Sequence, residues 1–140
     1  MNSLVLALLV LATWAGAMAR KPRVDKSMES HGAYSTIDVP GHRVITTPEE
    51  WSALWSDLKK KVPTGADFNH FFAVAAFAGT RNSGGYGSVF EAPKTEKDAL
   101  VVRYVVTRPK GMATMALTQP YAVKFFPKTN KPLRVEGRNE

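Results

Sequence analysis

The chain has 140 residues, with 19 lysines and arginines against 12 aspartates and glutamates, a formal net charge of +7 and 44% hydrophobic residues. This length leaves room for one domain, and the hydrophobic fraction is sufficient for a packed core. The sequence contains no cysteine. That absence excludes disulfides, thiolate zinc sites, iron–sulfur clusters, a cysteine nucleophile and a lipidated cysteine anchor.

Residues 1–19 predict a signal peptide. They carry no charged side chain, are almost purely apolar from Leu4 to Trp14, and end in Ala17-Met18-Ala19, a pattern typical of cleavage before Arg20. The apolar stretch is shorter than the roughly 20 residues that cross a bilayer as a helix, although no basic residue precedes it. We therefore expect a secreted or periplasmic protein, with an uncleaved N-terminal anchor as the alternative.

Residues 20–43 are polar and of mixed charge, without sustained periodicity, and they include two prolines and two glycines. This composition predicts a polar linker with little structure. We expect the domain itself to cover residues 44–128. Residues 129–140 are polar and basic, which predicts a frayed tail.

The first predicted element of the domain is a helix. Thr47 is a good N-cap, Pro48 suits the first helical position, and Glu50 completes a capping box. Large apolar side chains follow at the spacing of one helix face: Trp51, Leu54, Trp55 and Leu58. A tryptophan stripe can serve as a ligand platform, but this spacing favours a core-facing surface.

Strands are predicted in the remainder. Residues 71–78 are apolar at every position, which indicates a central strand covered on both faces or, alternatively, a buried helix. Further strands are predicted over residues 86–92, 100–107, 114–118 and 121–126. We expect an α+β domain in which one amphipathic helix packs on a small, mostly antiparallel sheet of four to five strands.

The glycine-rich residues 79–87 do not match a nucleotide site. A phosphate loop requires Lys followed by Ser or Thr where this chain has Gly85-Tyr86, and the third glycine of a dinucleotide fingerprint is missing. The three histidines and the aspartates do not have the spacing of metal ligands. We expect neither a cofactor nor a metal.

Two alternatives to a binding function arise from the residues. Ser83 and His70 could serve an extracytoplasmic hydrolase, but there is no Gly-x-Ser-x-Gly elbow, and a capping or core role for His70 is favoured. The net positive charge could attract polyanions. The basic residues are dispersed, however, and no aromatic RNA-binding strand motif accompanies them, so a specific nucleic-acid site is not expected.

A signature of moderate specificity lies at Gly79-x-Arg81-x-x-Gly84-Gly85-Tyr86, and the strand over residues 100–107 and the segment Gln119-Pro120-Tyr121 follow it. Together with the Glu-Glu-Trp-x-x-Leu-Trp run of the helix, it resembles the C-terminal domain of the PrcB family over about residues 44–128. These are exported bacterial proteins whose namesake stabilises an extracellular protease complex. The family more often has threonine where this chain has Ser83.

The resemblance implies a non-catalytic module that binds or stabilises a protein of the envelope or medium, with a protease as one candidate partner. We predict that the partner site comprises Arg81, Ser83, Gly84, Gly85 and Tyr86, since arginine and tyrosine are favoured interface anchors. The alternative is a tight hairpin in which Arg81 and Tyr86 only fasten the turn.

Overall fold

The computed structural model describes residues 28–140, so the predicted signal peptide and the first part of the predicted linker lie outside the described residues. The described part forms three layers, namely one helix, a first sheet and a second sheet. The elements in chain order are β1 (Glu29–Gly32), β2 (Gly41–Ile45), α1 (Pro48–Asp57), β3 (Phe71–Phe77), β4 (Gly87–Phe90), β5 (Lys94–Glu96), β6 (Ala99–Thr107), β7 (Tyr121–Pro127) and β8 (Leu133–Asn139).

The first sheet has the strand order β1-β7-β3-β2, and each neighbouring pair is antiparallel. Strand β3 pairs with β7 along its whole length, from Phe71 opposite Pro127 to Phe77 opposite Tyr121. The two longest strands of this sheet therefore lie at its centre, and the short strands β1 and β2 form its edges.

The second sheet is built around β6. Strand β4 pairs with residues 104–107 and β5 with residues 99–101, both antiparallel, whereas β8 runs parallel to β6 over residues 100–106. Since β8 spans positions that β4 and β5 also pair with, it lies on the opposite side of β6. One edge of the second sheet is thus shared by β4 and β5, and β8 forms the other edge.

Strand β3 separates two apolar cores, and all seven of its residues are buried. Alternate side chains, such as those of Phe71 and Phe77, pack with the helix, while those of Phe72 and Val74 pack with the second sheet. The predicted strand covered on both faces is confirmed, and the buried-helix alternative is wrong. The prediction of a single sheet is also wrong: an apolar second face must be covered, and here a second sheet covers it. The described chain is consequently mostly β, with one short helix and mostly antiparallel strands.

Helix α1 begins where the capping signal predicts. The Thr47 hydroxyl accepts a hydrogen bond from the Glu50 backbone N–H at 3.2 Å, and Pro48 is the first helical residue. Trp51, Leu54 and Trp55 are buried against the first sheet. The tryptophan stripe therefore belongs to the core and is not a ligand platform.

Two segments predicted to have little structure form strands instead. The described part of the predicted linker contains β1 and the start of β2, and the predicted tail contains β8. These are edge strands, where natural proteins commonly place charged and polar side chains. In β8, Leu133 and Val135 pack against the core between the sheets. By contrast, the strand predicted over residues 114–118 is reduced to one bridge, between Arg81 and Thr118.

Candidate partner-binding site

The predicted site lies in the connection between β3 and β4, residues 78–86, which we call the signature loop. It is hydrogen-bonded to the connection between β6 and β7, residues 108–120, which we call the facing loop. The backbone groups of Arg81 and Thr118 exchange two hydrogen bonds of 2.8 and 2.9 Å, and the Gly84 N–H donates to the Thr114 carbonyl at 2.8 Å. The buried Thr118 hydroxyl also donates to the Ser83 carbonyl at 2.9 Å. The two loops therefore form one connected surface.

The base of the signature loop is fixed by the connection between β1 and β2. Asp38 accepts two hydrogen bonds from Thr80, one from the backbone N–H at 3.0 Å and one from the hydroxyl at 3.1 Å. Gly79 has φ +72°, and a Cβ atom there would lie 2.7 Å from Cδ of Pro40. Glycine is required here because the backbone is left-handed and the neighbouring chain is too close for a side chain.

Arg81 and Tyr86, at the two ends of the signature, lie side by side. The Arg81 guanidinium carbon lies 5.2 Å from the centre of the Tyr86 ring, and the Arg81 Nε–H donates to the Ala78 carbonyl at 3.0 Å. This is the geometry of a cation–π pair, and both side chains are partly exposed. Of the predicted site residues, these two offer side chains that a partner could contact.

The three residues between them have local roles. The Ser83 hydroxyl donates to the Gly84 carbonyl at 3.3 Å. Gly85 has φ +84°, and a Cβ atom on it would lie 2.5 Å from Cβ of Pro109 in the facing loop. Gly85 thus lets the two loops approach each other, while Arg81 and Tyr86 remain partly exposed. The tight-hairpin alternative is wrong in one respect, because β3 and β4 belong to different sheets and do not pair.

The hydrolase alternative is not supported, because Ser83 and His70 lie beyond opposite ends of β3. The seven residues of this strand span about 20 Å at roughly 3.3 Å per residue. His70 instead lies 2.7 Å from Asp67 through its Nδ1 atom, and this hydrogen bond holds the pKa of the Asp67 carboxyl below its usual range. Within residues 28–140, no three histidine, aspartate or glutamate side chains come together as metal ligands would.

The facing loop carries a feature that the sequence prediction missed. Met112 is fully exposed, Met115 is 90% exposed and Leu117 is 66% exposed. Each lies within two residues of Thr114 or of Thr118, which hold the signature loop. In the predicted strand over residues 114–118, alternate side chains would be buried. Because this strand does not form, these apolar side chains are exposed, which the sequence did not indicate.

A cleft of about 330 Å³ lies next to Tyr86, between strands β1 and β4. Glu29, His31 and Gly32 of β1 line one wall, and Ser88 and Val89 of β4 line the other. The cleft was not predicted, because β1 was assigned to the linker.

The outer face of the second sheet is covered by paired charges. Arg103 donates to Glu96 at 2.9 Å and to Glu136 at 2.8 Å, and Arg134 lies 3.1 and 2.8 Å from the same two carboxylates. The hydrogen bonds to Glu96 and Glu136 raise the pKa of Arg103, and Arg103 lowers the pKa of Glu96. These arginines already have carboxylate partners.

The chain was compared with protein families, curated proteins and solved structures. Residues 72–126 match the family model described as PrcB C-terminal, a segment that runs from β3 into β7 and contains the signature loop, the facing loop and most of the second sheet. No curated protein and no solved structure gives a significant match. Within residues 28–140, no helix has the length and apolar character needed to span a membrane. Residues 72–126, which include both loops of the candidate site, are thus similar to the PrcB C-terminal family.

Proposed function

We propose that this protein is an exported, non-catalytic binding module that associates with or stabilises another protein of the cell envelope or medium. A protease is the partner class that the family resemblance suggests. The proposed partner surface consists of the signature loop, with Arg81 and Tyr86, and the facing loop, with Met112, Met115 and Leu117.

The observation that carries the proposal is the exposure of three large apolar side chains on a loop that is hydrogen-bonded to the signature loop. Exposed apolar patches of this kind mark interaction sites. Methionine adapts its shape to a partner, and arginine and tyrosine are frequent anchors at the centre of interfaces. The tether between the loops lowers the entropy lost when a partner binds.

The polyanion alternative receives less support. Arg103, Arg134 and Arg138 each lie within 3.1 Å of a glutamate on the second sheet, so three of the basic residues are neutralised locally. A phosphate-binding surface requires arginines and lysines that are free to replace counterions. The exposed apolar surface is instead suited to a protein.

Export is part of the proposal and is supported by the sequence of residues 1–19, with its uncharged apolar run and its Ala-x-Ala ending. Its direct test is the N-terminal sequence of the protein recovered from envelope and medium fractions. Recovery of a chain that begins at Arg20 supports export with cleavage. Recovery only from the cytosol, with Met1 retained, contradicts it.

The partner surface is tested by affinity capture with the tagged protein from envelope and medium fractions, at low and raised salt. Met115→Lys places a charge in the proposed surface, and Val62→Lys is the matched control, because Val62 is an exposed apolar residue (37%) that follows the helix. We expect one stoichiometric partner that resists salt, is lost with Met115→Lys and is retained with Val62→Lys. Captures that are heterogeneous and released by salt would instead support adhesion through basic residues.

A further inference from the structure

The cleft beside Tyr86 lies between two strand edges that pair with no further strand within residues 28–140. Strand β1 is an edge of the first sheet, and β4 forms part of an edge of the second sheet. On the opposite flank of the domain, the edge strands β2 and β8 contact each other. The flank between β1 and β4 is opened by the cleft of about 330 Å³.

The hydrogen bonds of β4 show which of its backbone groups point toward the cleft side. In an antiparallel ladder, alternate residues direct both N–H and C=O to the partner strand. The Glu91 N–H donates to the Arg103 carbonyl of β6 at 2.9 Å. By this alternation, the backbone groups of Gly87, Val89 and Glu91 point toward β6. The N–H and C=O groups of Ser88 and Phe90 therefore point away from β6, along an edge that no other described strand pairs with.

Ser88 supplies a second and independent observation. Its side chain is only 8% exposed, and its hydroxyl has no hydrogen-bond partner among the described residues. It is on the same side of β4 as Phe90, which packs into the core between the sheets, and it lines the cleft. A buried hydroxyl without a partner is costly and uncommon, so it indicates a group that is satisfied when something else is bound.

We infer that the cleft binds an extended polypeptide segment, which adds to the β4 edge as a further strand. The outward backbone groups of Ser88 and Phe90 repeat at the spacing of a β-strand, and a polypeptide backbone is the ligand that matches this repeat. The Ser88 hydroxyl is itself enclosed, so it bonds the inserted segment when its side chain rotates toward the cleft. Glu29 on the opposite wall lies 4.0 Å from Lys124, too far for a strong pair, and it favours a lysine or arginine in the ligand.

This inference rests on the proposed function and identifies part of the partner: one extended, basic segment of the protein that the loop surface binds. Tyr86 joins the two regions, because it lines the cleft and also lies under Arg81. Only two residues of β4 present outward groups, so strand addition alone gives few hydrogen bonds. The loop surface supplies the remaining contact area.

The test uses Ser88→Pro. Proline removes the Ser88 N–H, one of the two backbone N–H groups of β4 that point outward, and it is tolerated on edge strands at positions that donate no ladder hydrogen bond. Ser88→Ala is the matched control, because it removes the hydroxyl and keeps the N–H. The probe is a phage-displayed library of random short peptides, selected on the full chain, and the binding peptides are titrated against all three proteins.

We expect peptides rich in lysine or arginine whose affinity falls about tenfold or more with Ser88→Pro and by a smaller factor with Ser88→Ala. In the unmodified protein, bound peptide should slow amide hydrogen exchange at Ser88 and Phe90. This measurement still decides the matter if Ser88→Pro does not fold. A library that yields no binding peptide, or peptides that leave exchange in β4 unchanged, would overturn the inference.

The same variant separates this inference from the proposed function. A salt-resistant partner that Ser88→Pro captures as well as the unmodified protein does would overturn strand addition and leave the binding module intact. Peptides that protect β4, without any captured partner, would support the cleft and contradict the proposed loop surface.

Discussion

The guanidinium of Arg81 lies over the ring of Tyr86, 5.2 Å from its centre, and this pair links the two loops of the proposed surface to the cleft. Because Arg81 also bonds the Ala78 carbonyl, its side chain both fastens the turn and shapes the surface. A fastening role and a partner role can therefore be separated only by measuring stability and binding on the same variants.

We predict that Arg81→Ala and Tyr86→Ala both leave the protein folded and both abolish partner capture. A double-mutant cycle on urea unfolding should give an interaction energy of about 0.5–1 kcal/mol, the usual value for an exposed cation–π pair. If both variants retain capture of the partner, the loop is structural only.

Gly85 is predicted to resist replacement by alanine. Gly85→Ala must accept φ +84° and also a Cβ atom 2.5 Å from Pro109, so we expect a loss of about 2 kcal/mol or more. Gly111→Ala is the control, because Gly111 has φ +92° but no atom within 4 Å of the added carbon. Its expected cost is about 1 kcal/mol. Equal unfolding free energies for the two variants would show that the close approach of the loops contributes nothing.

Acid should weaken the charge network of the second sheet. The hydrogen bonds from Arg103 hold the pKa of Glu96 below its ordinary value of 4.5. A carboxyl whose pKa is depressed by folding stabilises the fold above its ordinary pKa, and this contribution is lost as the pH falls through the depressed value. We predict that the urea concentration at the unfolding midpoint decreases as the pH is lowered below 4.5. The decrease should be smaller in Glu96→Gln.

The control for the acid effect is Asp98→Asn, in the turn that follows Glu96. Asp98 has φ +64°, a conformation that asparagine also accepts, so the substitution leaves the turn intact. When the pH is lowered, the urea midpoint of Asp98→Asn should decrease as much as that of the unmodified protein. If the urea midpoint of Glu96→Gln decreased as much as that of the unmodified protein, the charge network would not contribute to the pH dependence.

Strand β8 is predicted to be essential to the domain. Val135→Asp places a carboxylate against the core between the sheets, and we expect it to cost about 2 kcal/mol or more. Arg138→Ser, on the same strand, removes only an exposed pair with Glu91 and should cost about 1 kcal/mol or less. Thermal or urea unfolding measures both. Equal small effects would mean that the C-terminal residues are the frayed tail that the composition predicts.

The sequence predicted the elements whose signals are local. Thr47 and Glu50 mark the start of α1, and the unbroken apolar run that begins at Phe71 marks a strand with two covered faces. The resemblance likewise placed Arg81 and Tyr86 in one site, and the fold brings them together. In each case neighbouring residues carry the information, through helical spacing, apolar continuity or a motif.

The missed features depend on partners far along the chain. Strand β1 is a strand because Glu29 and Ser30 lie opposite residues of β7, and β8 because it lies along β6. Their own residues are polar, as edge strands permit. The cleft and the exposed Met115 could not be predicted for the same reason, since each is a consequence of how distant strands are arranged.

The first and last described strands both pair with strands far along the chain, and this affects the order in which the fold can form. Strand β1 needs β7, and the second sheet lacks an edge until β8 has been made. Such distant pairings form slowly, and each requires that both of its strands have been synthesised. The second sheet can therefore be completed only when synthesis is almost finished.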